Sequence, residues 1–211
     1  MRGAFITFEG VEGVGKSTQI SLAAAHLGAR GIEPVVTREP GGTLLAEKLR
    51  ALVLETGHGP VSATAELLIY FAARASHVAE VIRPALAAGR CVLCDRFTDT
   101  TEAYQGGGRG VDAASIRALA DIAHPGLAPD LTLVFDAPAD VTHLRLAGRG
   151  PGRDRIESED TAFFERVRRA YQAIAERDPD RVRIVDATQL EAEIATVVAT
   201  LIDGVLARLG R

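Results

Sequence analysis

Gly10-Val11-Glu12-Gly13-Val14-Gly15-Lys16-Ser17 is the stretch on which the fold turns. It fits G-x-x-x-x-G-K-[ST] at every fixed position. Ala4 to Phe8 before it is apolar and β-prone, and Thr18 to Leu27 after it repeats apolar residues at helical spacing. A loop between a buried strand and a helix start turns backbone N–H groups and the helix N-terminus onto anionic oxygens. Gly10, Gly13 and Gly15 permit a tight bend and close approach, because no Cβ intervenes. Lys16 is expected to reach the β- and γ-phosphates of a nucleotide and the Ser17 hydroxyl to bind Mg²⁺. Val11, Glu12, Val14 and Thr18 complete the expected ATP-binding segment. A glycine-rich turn can match such a pattern by chance, but here the fixed positions and both flanks agree.

Outward from the loop, 211 residues suit one domain, residues 1–211, large enough for a full core. Hydrophobic residues at 47% and charged residues at 25% are ordinary for a globular chain. A net charge of −4 gives no reason to expect a nucleic-acid partner. No long apolar run lacks charges and no basic-then-apolar leader is present, so no membrane partner and a cytoplasmic location are expected. Cys91 and Cys94 have C-x-x-C spacing, which invites a redox or zinc reading. In an extended strand, however, positions three apart face opposite sides, and no second ligand pair exists. They are expected to be small buried residues with no chemistry.

Periodicity predicts strands at Ala4–Phe8, Glu33–Arg38, Cys91–Asp95, Leu131–Asp136 and Val182–Asp186. Helices are expected from the loop to about Arg30, from Thr43 to about Glu55, and from Ala63 to Ala88 with Ser62 as cap and Pro84 kinking the last turn. Further helices are expected at Asp112–His124, Ala139–Ala147, Ser158–Glu176 and Leu190–Leu209. Thr98 to Gly110 is polar and glycine-rich and receives no helix. Strands alternating with helices predict an α/β fold with a five-stranded parallel sheet flanked on both faces.

Three further features bear on chemistry. Asp95-Arg96 ends the third strand, where parallel sheets bind ligands. Asp95 there suits Mg²⁺, held directly or through water, and Arg96 suits phosphates; an ordinary surface ion pair is the alternative. Arg145, Arg149, Arg153 and Arg155 surround a glycine-broken segment that cannot be regular structure. Such a segment suits a mobile lid closing on phosphates, or a solvated basic loop. Tyr70 and Arg74 share a helix face, and Tyr104-Gln105 adds an aromatic and an amide. Together they suit a flat base with hydrogen-bonding edges, although an aromatic on an apolar helix is often simply core.

Across nearly its whole length the chain resembles a thymidylate kinase of the bacterial type. The resemblance rests on F-E-G-V-E-G-V-G-K-S-T from Phe8, T-R-E-P-G-G-T from Thr37, A-A-R from Ala72, D-R-F from Asp95, A-Y-Q-G-G-G-R-G from Ala103 and D-R-I-E from Asp154. It implies a P-loop, nucleoside-monophosphate-kinase-like three-layer fold with an Arg-rich lid at about 148–157. It also implies ATP and dTMP as substrates, Mg²⁺ as cofactor and a homodimer. By the resemblance, Glu12 lies near the deoxyribose 3′-hydroxyl, and Arg50 and Arg96 hold the dTMP phosphate, with Glu39 and Pro40 shaping that pocket. Tyr70, where the family usually has Phe, stacks on thymine. Arg74 and Gln105 bond the base edge, and Thr100, Thr101 and Tyr104 line sugar and base. Gly13 stands where one branch of the family has a catalytic Arg, so the chain resembles the other branch, with Arg149 or Arg153 of the lid in that role. The expected reaction, ATP plus dTMP giving ADP plus dTDP, competes with a kinase for another nucleoside monophosphate and with a nucleotide-dependent switch.

Overall fold

The computed structural model describes residues 2–57, 59–147 and 154–210. β1 (Phe5–Glu9) is wholly buried and runs into the phosphate loop, which opens onto α1 (Lys16–Ala29). Beside it stand β2 (Val35–Arg38), β3 (Val92–Asp95), β4 (Leu131–Asp136) and β5 (Val182–Asp186), all parallel, in the order β2-β3-β1-β4-β5. With β1 central and the chain departing to either side of it, a crevice opens beyond the carboxyl ends of β1, β3 and β4.

Register decides what each face buries. Phe5 pairs with Val92, while Ile6 lies between Leu93 and Leu131. The two-residue period sends Phe5, Val92 and Cys94 into one cluster with Val78, Ile82 and Leu86. Ile6, Phe8, Leu93 and Leu133 join Ile20 and Leu27 of α1 and Ile202 and Leu206 of α9 (Glu191–Arg208). Helices therefore cover both faces, as the alternation of elements predicts. Cys91 and Cys94 are buried in different clusters, which agrees with a packing role for both.

Local chemistry places several helix starts. Thr43 Oγ1 accepts from Ala46 N–H at the head of α2 (Leu44–Leu54), and Ser62 Oγ accepts from Ala65 N–H at the head of α3 (Ala63–His77). The expected single helix to Ala88 is divided: a π-helical turn, Val78–Ile82, precedes α4 (Arg83–Ala87). Pro84 has no N–H to offer the preceding turn, and Arg83 N–H reaches back five residues to Val78 O.

Thr98–Gly110, which received no helix from its composition, forms α5 (Thr98–Thr101) and a second π-helical run, Glu102–Gly108. Its glycines are a contact surface for α8 (Thr161–Arg177). A Cβ on Gly107 would lie 2.6 Å from Ala170 Cβ, and one on Gly108 would lie 2.4 Å from the Phe163 ring. α8 begins at Thr161 instead of Ser158, because the Asp160 carboxylate accepts from Phe163 N–H at 2.7 Å. α6 (Ala113–Ala123) and α7 (Ala139–Ala147) complete the helices. The expected lid arginines Arg149 and Arg153 lie outside the described residues. Beyond them, Arg155 N–H bonds Leu54 O at 3.2 Å and Ile156 is buried. Among the described residues no helix is long and apolar enough to cross a membrane.

Candidate functional site

The phosphate loop is built by its glycines. Gly10 has φ +125°, and a Cβ there would sit 2.4 Å from Phe135 O, so only glycine fits between β1 and β4. Gly15, at φ +91°, is the N-cap of α1 and offers no side-chain cap, so the first N–H groups of the helix are left for another acceptor. Lys16 folds back over the loop, its Nζ donating to Gly10 O and Val11 O at 2.9 Å each. Burial lowers its ammonium to about 8 and Arg96 pushes the same way, while Asp95, Glu12 and Glu9 oppose them. Val14, Gly15 and Thr18 line a groove on one side of the loop with Gln19 and Arg145.

Ser17 lines a different groove together with Asp95, Thr37 and Arg38. Asp95 Oδ1 is buried and lacks a hydrogen-bond partner among the described residues. An orphaned carboxylate oxygen beside a hydroxyl fits a hard divalent cation. No group of three or more His, Cys, Asp or Glu is placed to hold a metal among the described residues. The two groups therefore suit an ion such as Mg²⁺, which takes most of its remaining oxygens from phosphates and water.

Arg96 is the hub between loop and crevice. Among the described residues it is the only one besides glycine at positive φ, at +72°. Such a conformation costs about 1–3 kcal/mol and needs surrounding support. The support comes from Arg96 N–H to Phe8 O at 3.0 Å and from Phe97 N–H to Glu9 Oε1 at 2.7 Å. The guanidinium pairs with Glu12 at 2.6 Å and stacks over Tyr104, whose hydroxyl donates to Glu12 Oε2 at 2.7 Å. Burial opposes charge on Glu12, but Arg96, Lys16 and the Tyr104 hydroxyl hold its carboxyl below the usual range. Asp95-Arg96 is thus no surface ion pair.

All eleven residues expected at the acceptor pocket line one cavity: Glu12, Glu39, Pro40, Arg50, Tyr70, Arg74, Arg96, Thr100, Thr101, Tyr104 and Gln105. Arg74 is clamped between the Phe71 and Phe97 rings, with Nε on Glu39 at 2.6 Å and Nη2 on Thr101 Oγ1 at 3.0 Å and Phe97 O at 3.1 Å. Its Nη1 is buried without a partner among the described residues. Glu39 also meets His77 Nδ1 at 3.0 Å; burial works against its charge, and Arg74 and His77 outweigh it to lower the carboxyl. Arg50 Nη1 donates to Pro40 O at 3.0 Å. Tyr70 is half-buried, and burial together with Glu66 raises its hydroxyl so that it stays protonated. Gln105 Nε2 donates to Glu66 Oε1 at 2.7 Å, and Thr100 Oγ1 meets Glu9 and the Tyr171 hydroxyl.

Glu9 and Glu66 escape a reading of the sequence for this site. Glu66 stands four residues before Tyr70 and eight before Arg74, on the same helix face, and that spacing is the signal that could have found it. Glu9 shows only as a charge ending an apolar strand.

Comparison with known proteins places this geometry in context. A family model described as thymidylate kinase matches residues 8–198. A thymidylate kinase of Pseudomonas savastanoi pv. phaseolicola is 52% identical over 206 residues, covering 98% of each chain. One from Desulfovibrio desulfuricans is 49% identical over 213 residues, again covering 98% of each. The crystal structure of thymidylate kinase from Ehrlichia chaffeensis superposes with a TM-score of 0.73 at 34% identity, over 98% of this chain and 99% of that one.

Proposed function

The chain belongs to the thymidylate kinase family, and on that premise we propose that it transfers the γ-phosphoryl of ATP to dTMP, giving ADP and dTDP on the route to dTTP. The observation that carries this is the polarity of the acceptor cavity. At its base end Arg74 Nη1 is a buried donor lacking a partner among the described residues, and Gln105 has its amide nitrogen engaged, leaving its oxygen as acceptor. A donor and an acceptor lining one cavity can match the C=O and N–H of a thymine edge. At the other end Arg50 and Arg96 offer guanidinium groups to a phosphate.

A phosphate monoester has its second pKa near ~6, so the attacking oxygen is already anionic at neutral pH and needs no general base. The work left to the protein is alignment and charge neutralisation. Lys16 on the loop and Arg96 in the crevice are the positive charges available to the two phosphates. Ser17 and Asp95 are the residues that would hold Mg²⁺, which when bound screens the polyphosphate charge. Glu12 ties Arg96 to the loop, fixing one binding pocket relative to the other. Gly13 offers no side-chain charge, so the catalytic arginine is assigned to Arg149 or Arg153 of the lid. A homodimer is supported by Leu44, Leu45 and Leu52 of α2 and Leu68 of α3, all well exposed. Cytoplasmic placement fits a source of DNA precursors.

The test is product identification by ³¹P NMR with ATP, dTMP and Mg²⁺. Matched growth of ADP and dTDP signals is expected. Release of inorganic phosphate without dTDP would contradict the assignment and favour a nucleotide-dependent switch.

A further inference from the structure

Glu66 is completely buried on α3 and is surrounded by donors. Gln105 Nε2 donates to its Oε1 at 2.7 Å, Arg109 Nη2 reaches Oε2 at 3.3 Å, and Arg155 pairs with Oε2 at 2.5 Å. A buried carboxylate is tolerated only when paired in this way, and it can only accept hydrogen bonds. The two ends of a glutamine amide are nearly the same size and differ mainly in hydrogen bonding. With Glu66 as neighbour, that ambiguity is removed: the NH₂ must face Glu66, and the oxygen faces away from it. No hydrogen bond occupies Gln105 Oε1 among the described residues, and Gln105 lines the acceptor cavity that Arg74 borders.

We propose that Glu66 is the positioning residue for base selection. By holding the Gln105 oxygen toward the cavity, it makes the site favour a pyrimidine offering a ring N–H beside a carbonyl, as thymine and uracil do. Cytosine carries a lone pair at that ring nitrogen, and two acceptors would face each other there. The inference rests on the reading of this cavity as the dTMP site. Arg109 and Arg155 hold Glu66 in place, and Arg109 is itself anchored to Glu159 at 2.6 Å. Arg155 Nε also bonds Val53 O at 2.9 Å, so residues on both flanks of the cavity fix the carboxylate.

Glu66→Gln keeps the size of the side chain but can both donate and accept, which frees the Gln105 amide to turn over. The dTMP to dCMP ratio of kcat/KM is expected to fall by ~10-fold or more, mostly through the acceptor KM, while the KM for ATP holds. A merely structural role would change both acceptors alike. A folded Glu66→Gln protein with the wild-type ratio would overturn the inference while leaving the dTMP reading intact. Wild-type protein that used dCMP as readily as dTMP would overturn both. Should the variant fail to fold, side-chain NMR of wild-type protein decides. On adding dTMP the Gln105 ¹³Cδ signal should move and the two Nε2 protons should hold their shifts. Movement of the Nε2 protons alone would overturn the inference.

Discussion

At the scale of the residue, Glu9 does work that its place in a strand conceals. It ends β1, is fully buried, and accepts from Phe97 N–H at 2.7 Å and from the Tyr171 hydroxyl at 3.0 Å. By catching the N–H that follows Arg96 it supports the one left-handed arginine on which the crevice depends. Burial raises its carboxyl from 4.5 to about 7 and the Asp99 charge adds to this, against Thr100, Arg96 and the Phe97 N–H. Between those two values the native protein keeps a proton that the unfolded chain has released, so stability falls as pH rises. The contribution is complete below 4.5 and gone above about 7. Urea unfolding across this range should show wild-type stability declining with pH and Glu9→Gln showing a flatter profile. Equal slopes would contradict the account. Neither the left-handed backbone of Arg96 nor the proton on Glu9 is legible in the sequence. Both arise from groups distant along the chain, Phe8 and Glu9 for Arg96, and Asp99 together with burial for Glu9.

Elements divide by whether their cause is local. α2 and α3 begin where Thr43 and Ser62 predict, because a cap and an apolar repeat lie within a few residues of each other, and Asp112, expected as the first helical residue, is instead the cap of α6. The Glu102–Gly108 run could not be read that way. Three successive glycines ordinarily argue against a helix, and here they serve the close approach of α8. Two substitutions separate these effects. Gly107→Ala should cost about 1–3 kcal/mol by overpacking against Ala170, and should raise the dTMP KM because the same run carries Tyr104 and Gln105. Gly204→Ala, in α9 with nothing within 4 Å of its would-be Cβ, should stabilise by about 0.5–1 kcal/mol. Chemical denaturation of both variants checks this, and a neutral Gly107→Ala would show that the contact is loose. Pro84 is visible in the sequence, but the π-helical turn Val78–Ile82 ahead of it is not.

For the whole molecule, the phosphate loop made β1 and the crevice above it legible, while the order of the strands depends on pairings that no local pattern encodes. The acceptor residues run from Glu12 to Gln105 along the chain; residue chemistry and helix spacing grouped Tyr70, Arg74, Tyr104 and Gln105, and only the resemblance joined the others to them before folding did. Glu66 and Arg109 were missed, and Arg155 was read as a lid arginine, because their meeting joins α3, the turn after the glycine run and the end of the expected lid. If the crevice is the proposed dTMP site it must select its phosphoryl acceptor, and a panel of monophosphates is the sharpest check. With ATP and Mg²⁺ held constant, kcat/KM is measured for dTMP, dUMP, dCMP and AMP. The account predicts that dTMP exceeds dCMP and AMP by ~100-fold or more, because the wrong edge leaves buried polar groups unpaired. Comparable turnover of AMP or dCMP, or ATP consumption indifferent to every acceptor, would contradict it.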